Sequence, residues 1–145
     1  SDKLNSILYI EGEDTLKNKG SNELFKKFED FNIISYDKNI SKKDLFTSFK
    51  NKNILYISSH AKYDEFNPSF SSIYINNNLE IDVADILDEN LSSNLIILSA
   101  CETGKGENMS LSYAFFYAGI KSIISDAPPY DTIVDILSVP SNERS

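Results

Sequence analysis

The chain has 145 residues and a mass of 16.4 kDa, enough for one hydrophobic core and too short for two. Its 41% hydrophobic and 12% aromatic content excludes intrinsic disorder, and a net charge of -8 without any basic cluster excludes nucleic acid as a direct partner. One cysteine and one histidine exclude an internal disulfide and a four-ligand Cys/His zinc site.

The pattern along the chain is one of short apolar runs separated by amphipathic segments. A first strand is predicted at 7–10, followed by a helix with Leu24, Phe25, Phe28 and Phe31 at helical spacing behind Ser21 as its N-cap. A second strand at 33–36 leads into a helix that opens with Ser41 and Asp44 and buries Leu45, Phe46 and Phe49. The Lys/Asn stretches at 17–19 and 50–53 read as solvated connectors. A third strand at 54–57 precedes a hairpin of 73–75 and 79–81, whose turn uses asparagines at 76–78 because asparagine tolerates positive φ. Asp82 caps a short helix with Val83, Ile86 and Leu87 on one face. A strand at 95–98 follows, then a helix carrying Leu111, Ala114, Phe115 and Ala118 that ends at Gly119, and a strand at 123–124. Pro128 and Pro129 stop that strand, and 132–137 can start a further helix.

Strands alternating with helices imply an α/β domain: a mostly parallel sheet with helices on both faces and an inserted β-hairpin, over residues 1–137 with 138–145 as a tail. No apolar run approaches the roughly 20 residues that span a bilayer and no leader is seen, so a cytoplasmic setting without membrane partners is expected. The chain opens on Ser1, which suits a piece of a longer protein.

In sheets of this class, catalytic groups collect at the carboxyl ends of the strands. His60 follows the 54–57 strand and Cys101 follows the 95–98 strand at the same offset. If those strands are neighbours, about 4.8 Å apart, an imidazole can take the proton of a thiol that is otherwise only a few per cent thiolate at pH 7. The same imidazole can protonate a leaving amine, and a turn with Gly104 nearby frees backbone N–H groups for an oxyanion. The alternative is a buried cysteine and a structural histidine, both common. Gly104-Lys105-Gly106 lacks the remaining positions of a phosphate loop. Asp126 and Asp131 either line the same crevice, where they favour a basic substrate side chain, or serve as turn residues beside proline.

The stretches "NILYISSHA", "LEIDVADIL", "LIILSACETGKG" and "YAFFYAGIKSIISDAPPYD" resemble, in order, successive blocks of the CHAT domain, a branch of the caspase-like cysteine peptidases that also includes separase. The resemblance implies a caspase-hemoglobinase fold and a His60–Cys101 dyad that cleaves protein substrates with no metal or organic cofactor. It further implies oxyanion donors on the backbone N–H of Ala61 and Cys101, and a cleft bordered by Asp126 and Asp131, with Ser99 as another substrate-binding candidate. Such domains usually act beside regulatory domains or a partner chain in defence or programmed-death proteins. Ala61 stands where the family usually has glycine, the proline block is altered, and the C-terminal part is expected to be incomplete. These departures motivate the alternative of a catalytically inactive scaffold. A flavodoxin-like binder shares the α/β pattern but leaves the Ser99-to-Gly104 block unexplained.

Overall fold

The computed structural model describes residues 6–12, 28, 30–101 and 109–125, with residues 100 and 101 described through their backbone alone. In chain order these form β1 (Ser6–Glu11), β2 (Asp30–Ser35), α1 (Lys42–Phe49), β3 (Ile54–Lys62), a 3-10 turn (Pro68–Phe70), β4 (Ser72–Asn76), β5 (Leu79–Asp82), α2 (Val83–Leu87), β6 (Leu95–Cys101), α3 (Met109–Ala118) and β7 (Ser122–Ile124). The mostly parallel α/β sheet is present: β2-β1-β3-β6-β7 pair side by side, all parallel. The hairpin is also present. β4 and β5 pair antiparallel, and β4 joins the far end of β3 through Ala61 with Ile73 and Lys62 with Ser72. The nine-residue β3 therefore serves two partnerships, parallel over most of its length and antiparallel at its tip.

Alternation along the central strands sends Leu8, Ile10, Leu55, Ile57, Ile96 and Leu98 to one face. There they meet Leu45, Phe46 and Phe49 of α1, Val83 and Ile86 of α2, and Leu111, Ala114, Phe115 and Ala118 of α3 in one cluster. Each fully buried side chain of this size contributes roughly 1.5–3 kcal/mol over its exposed state. The opposite face is equally dry: Ile7, Tyr9, Ile54, Tyr56 and Ile97 are at most 3% exposed. Buried parallel strands need such unbroken apolar runs. The described helices all pack on the first face. Leu24 and Phe25 of the expected first helix lie outside the described residues, as do the stretches at 17–19 and 132–137.

Several local expectations are corrected. Phe31 belongs to β2 rather than to a helix: it pairs with Ile7, and the Lys52 ammonium holds the strand's start by reaching Asp30 (3.3 Å) and Asn32. Phe28 sits in a bend. The 50–53 connector is structural: the Ser6 hydroxyl and the Asn53 side chain are hydrogen-bonded (3.0 Å), and the Asn53 carbonyl accepts from Asn94 (2.9 Å) and Leu95 (3.2 Å). These bonds tie the starts of β1, β3 and β6 together. Positive φ is found at Asn51 (66°) rather than in the hairpin turn, where the Asn76 side chain instead accepts from the N–H of Asn78 (2.8 Å). Leu87 is 49% exposed because a five-residue helix has little more than one turn to bury.

The caps are those expected. Ser41 accepts from the N–H of Asp44 (3.0 Å), and Asp82 and Asp85 form a reciprocal capping box at 2.8 and 3.0 Å. Lys42 reaches Asp85 at 2.9 Å and links α1 to α2. Burial pushes the Asp85 carboxyl up, but the Asp82 N–H and the Lys42 ammonium outweigh it and hold Asp85 below the ordinary aspartate value. A depressed folded value contributes stability above the unfolded value, and that contribution fades as pH falls through the folded one. Asp85→Asn should therefore be less stable than the native chain at neutral pH, with the gap closing in acid. Urea unfolding at both pH values checks this, and a gap independent of pH would contradict it.

The end of α3 is a Schellman closure. Gly119 has φ 122°, its N–H bonds the Phe116 carbonyl (3.1 Å), and the Ile120 N–H bonds that of Phe115 (3.1 Å), with Ile120 and Phe115 both buried. Among the described residues no helix is long and apolar enough to cross a membrane.

Candidate active site

The carboxyl ends of β1, β3 and β6 lie side by side, and their residues turn polar there. Glu11 pairs with Ser58, Ser58 with Ser99, and His60 with Cys101, all in parallel register. Register partners on adjacent parallel strands are about 4.8 Å apart and share a face of the pleat. Positions 60 and 101 thus stand above a row of Glu11, Ser58 and Ser99, on the face opposite the described helices. His60 and Cys101 were expected just past their strands, yet both lie within them. The strands run on because the polar residues find ladder partners, and Ala61 and Lys62 then pair with β4.

The floor of this end is aromatic. Tyr9 is 2% exposed and packs edge-to-face on Tyr56, its register partner, with centroids 5.1 Å apart. Burial pushes the Tyr9 phenol up; a hydrogen bond with Ser58 opposes this and the Glu11 charge adds to it. The phenol stays neutral across the ordinary pH range. The Ser59 hydroxyl, on the other face, donates to the Tyr74 carbonyl and fastens β3 to the hairpin. His60, Ser58 and Ser99 are each partly exposed.

Gly12 closes the end of β1 against β3, its N–H donating to the Ser58 carbonyl at 2.7 Å. A Cβ there would lie 2.7 Å from Ser59 Oγ and 2.8 Å from Ser59 Cα, so backbone must move. Gly12→Ala should displace the segment leading to His60 and slow any reaction that depends on it by roughly tenfold or more, the usual cost of small misplacements at reacting groups. The pH dependence of Cys101 alkylation would register the shift, and a profile identical to the native chain's would exclude it.

Residues 18–127 match the family model described as the CHAT domain. The chain belongs to the CHAT domain family. This is a caspase-like cysteine peptidase family, and its α/β architecture agrees with the sheet described above. The CHAT match spans His60, Ala61, Ser99, Cys101 and Asp126 and stops short of Asp131. A comparison with curated proteins finds no significant relative.

Of the residues singled out in this CHAT domain, His60, Ala61, Ser99 and the backbone of Cys101 come together at one end of β3 and β6. Asp126, Asp131 and Gly104 lie outside the described residues. The Ala61 side chain is 7% exposed and belongs to the core cluster. Three neighbours went unnoticed in the sequence: Tyr9, Glu11 and Ser58. The signal for them is parity, since counting back by twos from His60 reaches Ser58 and Tyr56, and an apolar run ending in Glu11-Gly12 marks the end of the adjoining strand.

Proposed function

We propose that this CHAT domain is a cysteine endopeptidase with Cys101 as nucleophile and His60 as general base and acid. The observation that carries the reading is that the chain's one histidine and one cysteine are register partners at the carboxyl ends of adjacent parallel strands. In the proposed cycle His60 takes the thiol proton and the thiolate attacks a peptide carbonyl. Backbone N–H groups of Ala61 and Cys101 stabilise the oxyanion. His60 then protonates the leaving amine, and a water deprotonated by His60 hydrolyses the thioester. No metal or organic cofactor enters these steps. Proteins are the substrates; Ser99, Asp126 and Asp131 contribute to binding them, and regulatory domains or a partner chain control the reaction in a cytoplasmic setting.

An inactive scaffold is the second reading, favoured by Ala61 in the place of the family's usual glycine. The burial of that methyl in the core cluster, on the face away from His60, supports the peptidase instead. The test is to incubate the chain with a mixture of unfolded proteins and sequence the new N-termini. Cleavages made by the native chain and lost in Cys101→Ala are expected. An identical set from both, or none from either, would overturn the peptidase reading.

A further inference from the structure

We infer that Glu11 selects substrates with a lysine or arginine next to the scissile bond. The inference rests on the peptidase reading above. Glu11 is the last residue of β1 and pairs with Ser58, which in turn pairs with Ser99, so the three positions form one row across β1, β3 and β6. Parity along β3 and β6 puts this row on the same face as positions 60 and 101, two residues (about 7 Å) deeper along the strands. Glu11, Ser58 and Ser99 are each partly exposed, whereas Tyr9, the next residue below Glu11 on this face, is buried. The row is therefore the accessible floor beneath the proposed reacting groups.

Chemically the row is graded, with hydroxyls at Ser99 and Ser58 and a carboxylate at Glu11. The Tyr9 phenol, which is hydrogen-bonded with Ser58, feels the Glu11 charge, so the carboxylate lies over this face rather than off the rim of the sheet. Among the described residues, ion pairs join Lys42 to Asp85 and Lys52 to Asp30, and none reaches Glu11. On its outer side Glu11 pairs with Ser35, whose hydroxyl donates to the Asp37 carboxylate (2.8 Å). That neighbour brings a second negative charge to the row instead of a cation.

The substrate's chemistry follows from this layout. For a thiolate at position 101 and a general acid at position 60 to act on one peptide bond, that bond must lie over both positions. A side chain flanking the bond and directed at the sheet then meets the row below: first the serine hydroxyls and, about 10 Å from Ser99 across two strand spacings, the Glu11 carboxylate. Lysine and arginine suit this path, since they lay a flexible aliphatic stem along a surface and present charged donors at its end. An acidic side chain in the same place meets a like charge.

The experiment uses fluorophore–quencher decapeptides built on a sequence that the native chain cuts, with Lys, norleucine, Arg, citrulline or Glu placed in turn at each position flanking the bond. Norleucine and citrulline keep the stem and shape of Lys and Arg without the charge. The native chain is expected to cleave the Lys or Arg peptide at least about tenfold faster in kcat/KM than its neutral counterpart at one flanking position, as a charge-assisted hydrogen bond gives. Glu11→Gln should bring that ratio close to one, and Glu11→Lys should turn the preference toward Glu. Melting temperatures check that both variants fold. A native chain with no preference for Lys or Arg at either position overturns the proposal alone, whatever the variants do. A preference that survives in Glu11→Gln does the same, as does an equal loss on charged and neutral peptides, the result that mere displacement of His60 would give. A native chain that cleaves no peptide overturns the peptidase reading and this proposal with it.

Discussion

Replacing His60 with alanine is expected to invert the pH profile of Cys101 alkylation rather than merely lower it. An unassisted thiol has a pKa near 8.5 and is about 0.3% thiolate at pH 6, whereas a thiol paired with imidazolium is largely ionised there. The paired thiolate is intrinsically less nucleophilic, because reactivity falls with basicity at a slope of about 0.4–0.5. The larger thiolate fraction outweighs the lower nucleophilicity, so the native chain should be alkylated faster than His60→Ala at pH 6. At higher pH the order reverses, since the variant's thiolate fraction grows while its more basic thiolate is the more reactive, so the two iodoacetamide profiles should cross. Peptide cleavage should fall by at least about a thousandfold in the same variant, as it does when one member of a catalytic unit is removed. Parallel profiles that rise together around pH 8.5 would mean that the two groups do not act as a pair.

Gly119→Ala should be the most damaging single methyl in the described part of the chain. At φ 122° an L side chain is strained, a cost of roughly 1–3 kcal/mol, and its Cβ would lie 2.0 Å from the Leu91 carbonyl oxygen. Relief requires backbone movement at a point where the Leu91 N–H bonds the Ala118 carbonyl at 2.7 Å, so about 1 kcal/mol of hydrogen bonding is lost as well. We expect a loss of about 3–5 kcal/mol and a melting temperature lower by roughly 10 °C. Thermal unfolding of the two chains measures it. A drop below about 2 °C would show that the α3 terminus has freedom the contact with Leu91 does not suggest.

Much of the architecture could be read from residue spacing because the physics there is local. Leu111, Ala114, Phe115 and Ala118 repeat at helical intervals and are all buried; Ser41, Asp82 and Gly119 cap or close helices through their own backbone neighbours. Misreadings cluster where a distant partner decides. Ser58 to Lys62 look like loop residues until Glu11, Ser99 and Ile73 are brought alongside to complete the ladder. Phe31 fits a helical stripe equally well until Ile7 claims it for the sheet. Asparagines at 76–78 and at 51 carry the same local preference, and only the connection between α1 and β3 uses it for positive φ. For the site, the types and offsets of His60 and Cys101 were visible, but their register was not, since it depends on pairing between residues 41 positions apart. Tyr9 and Glu11 were missed for the same reason, each being part of the site only by virtue of β1 lying next to β3.

The split partnership of β3 bears on the order in which the chain matures during synthesis. When His60 emerges from the ribosome, β1 is already available to pair with β3 and the hairpin follows within some twenty residues, but β6 is still unmade. The sheet can grow outward from β1–β3 while one edge of β3 waits for its last neighbour. Position 101 is joined to position 60 only when β6 docks into that open edge, a long-range closure of the kind that folds late. Any reactivity that needs both residues is thereby withheld from the nascent protein until its central sheet is nearly finished.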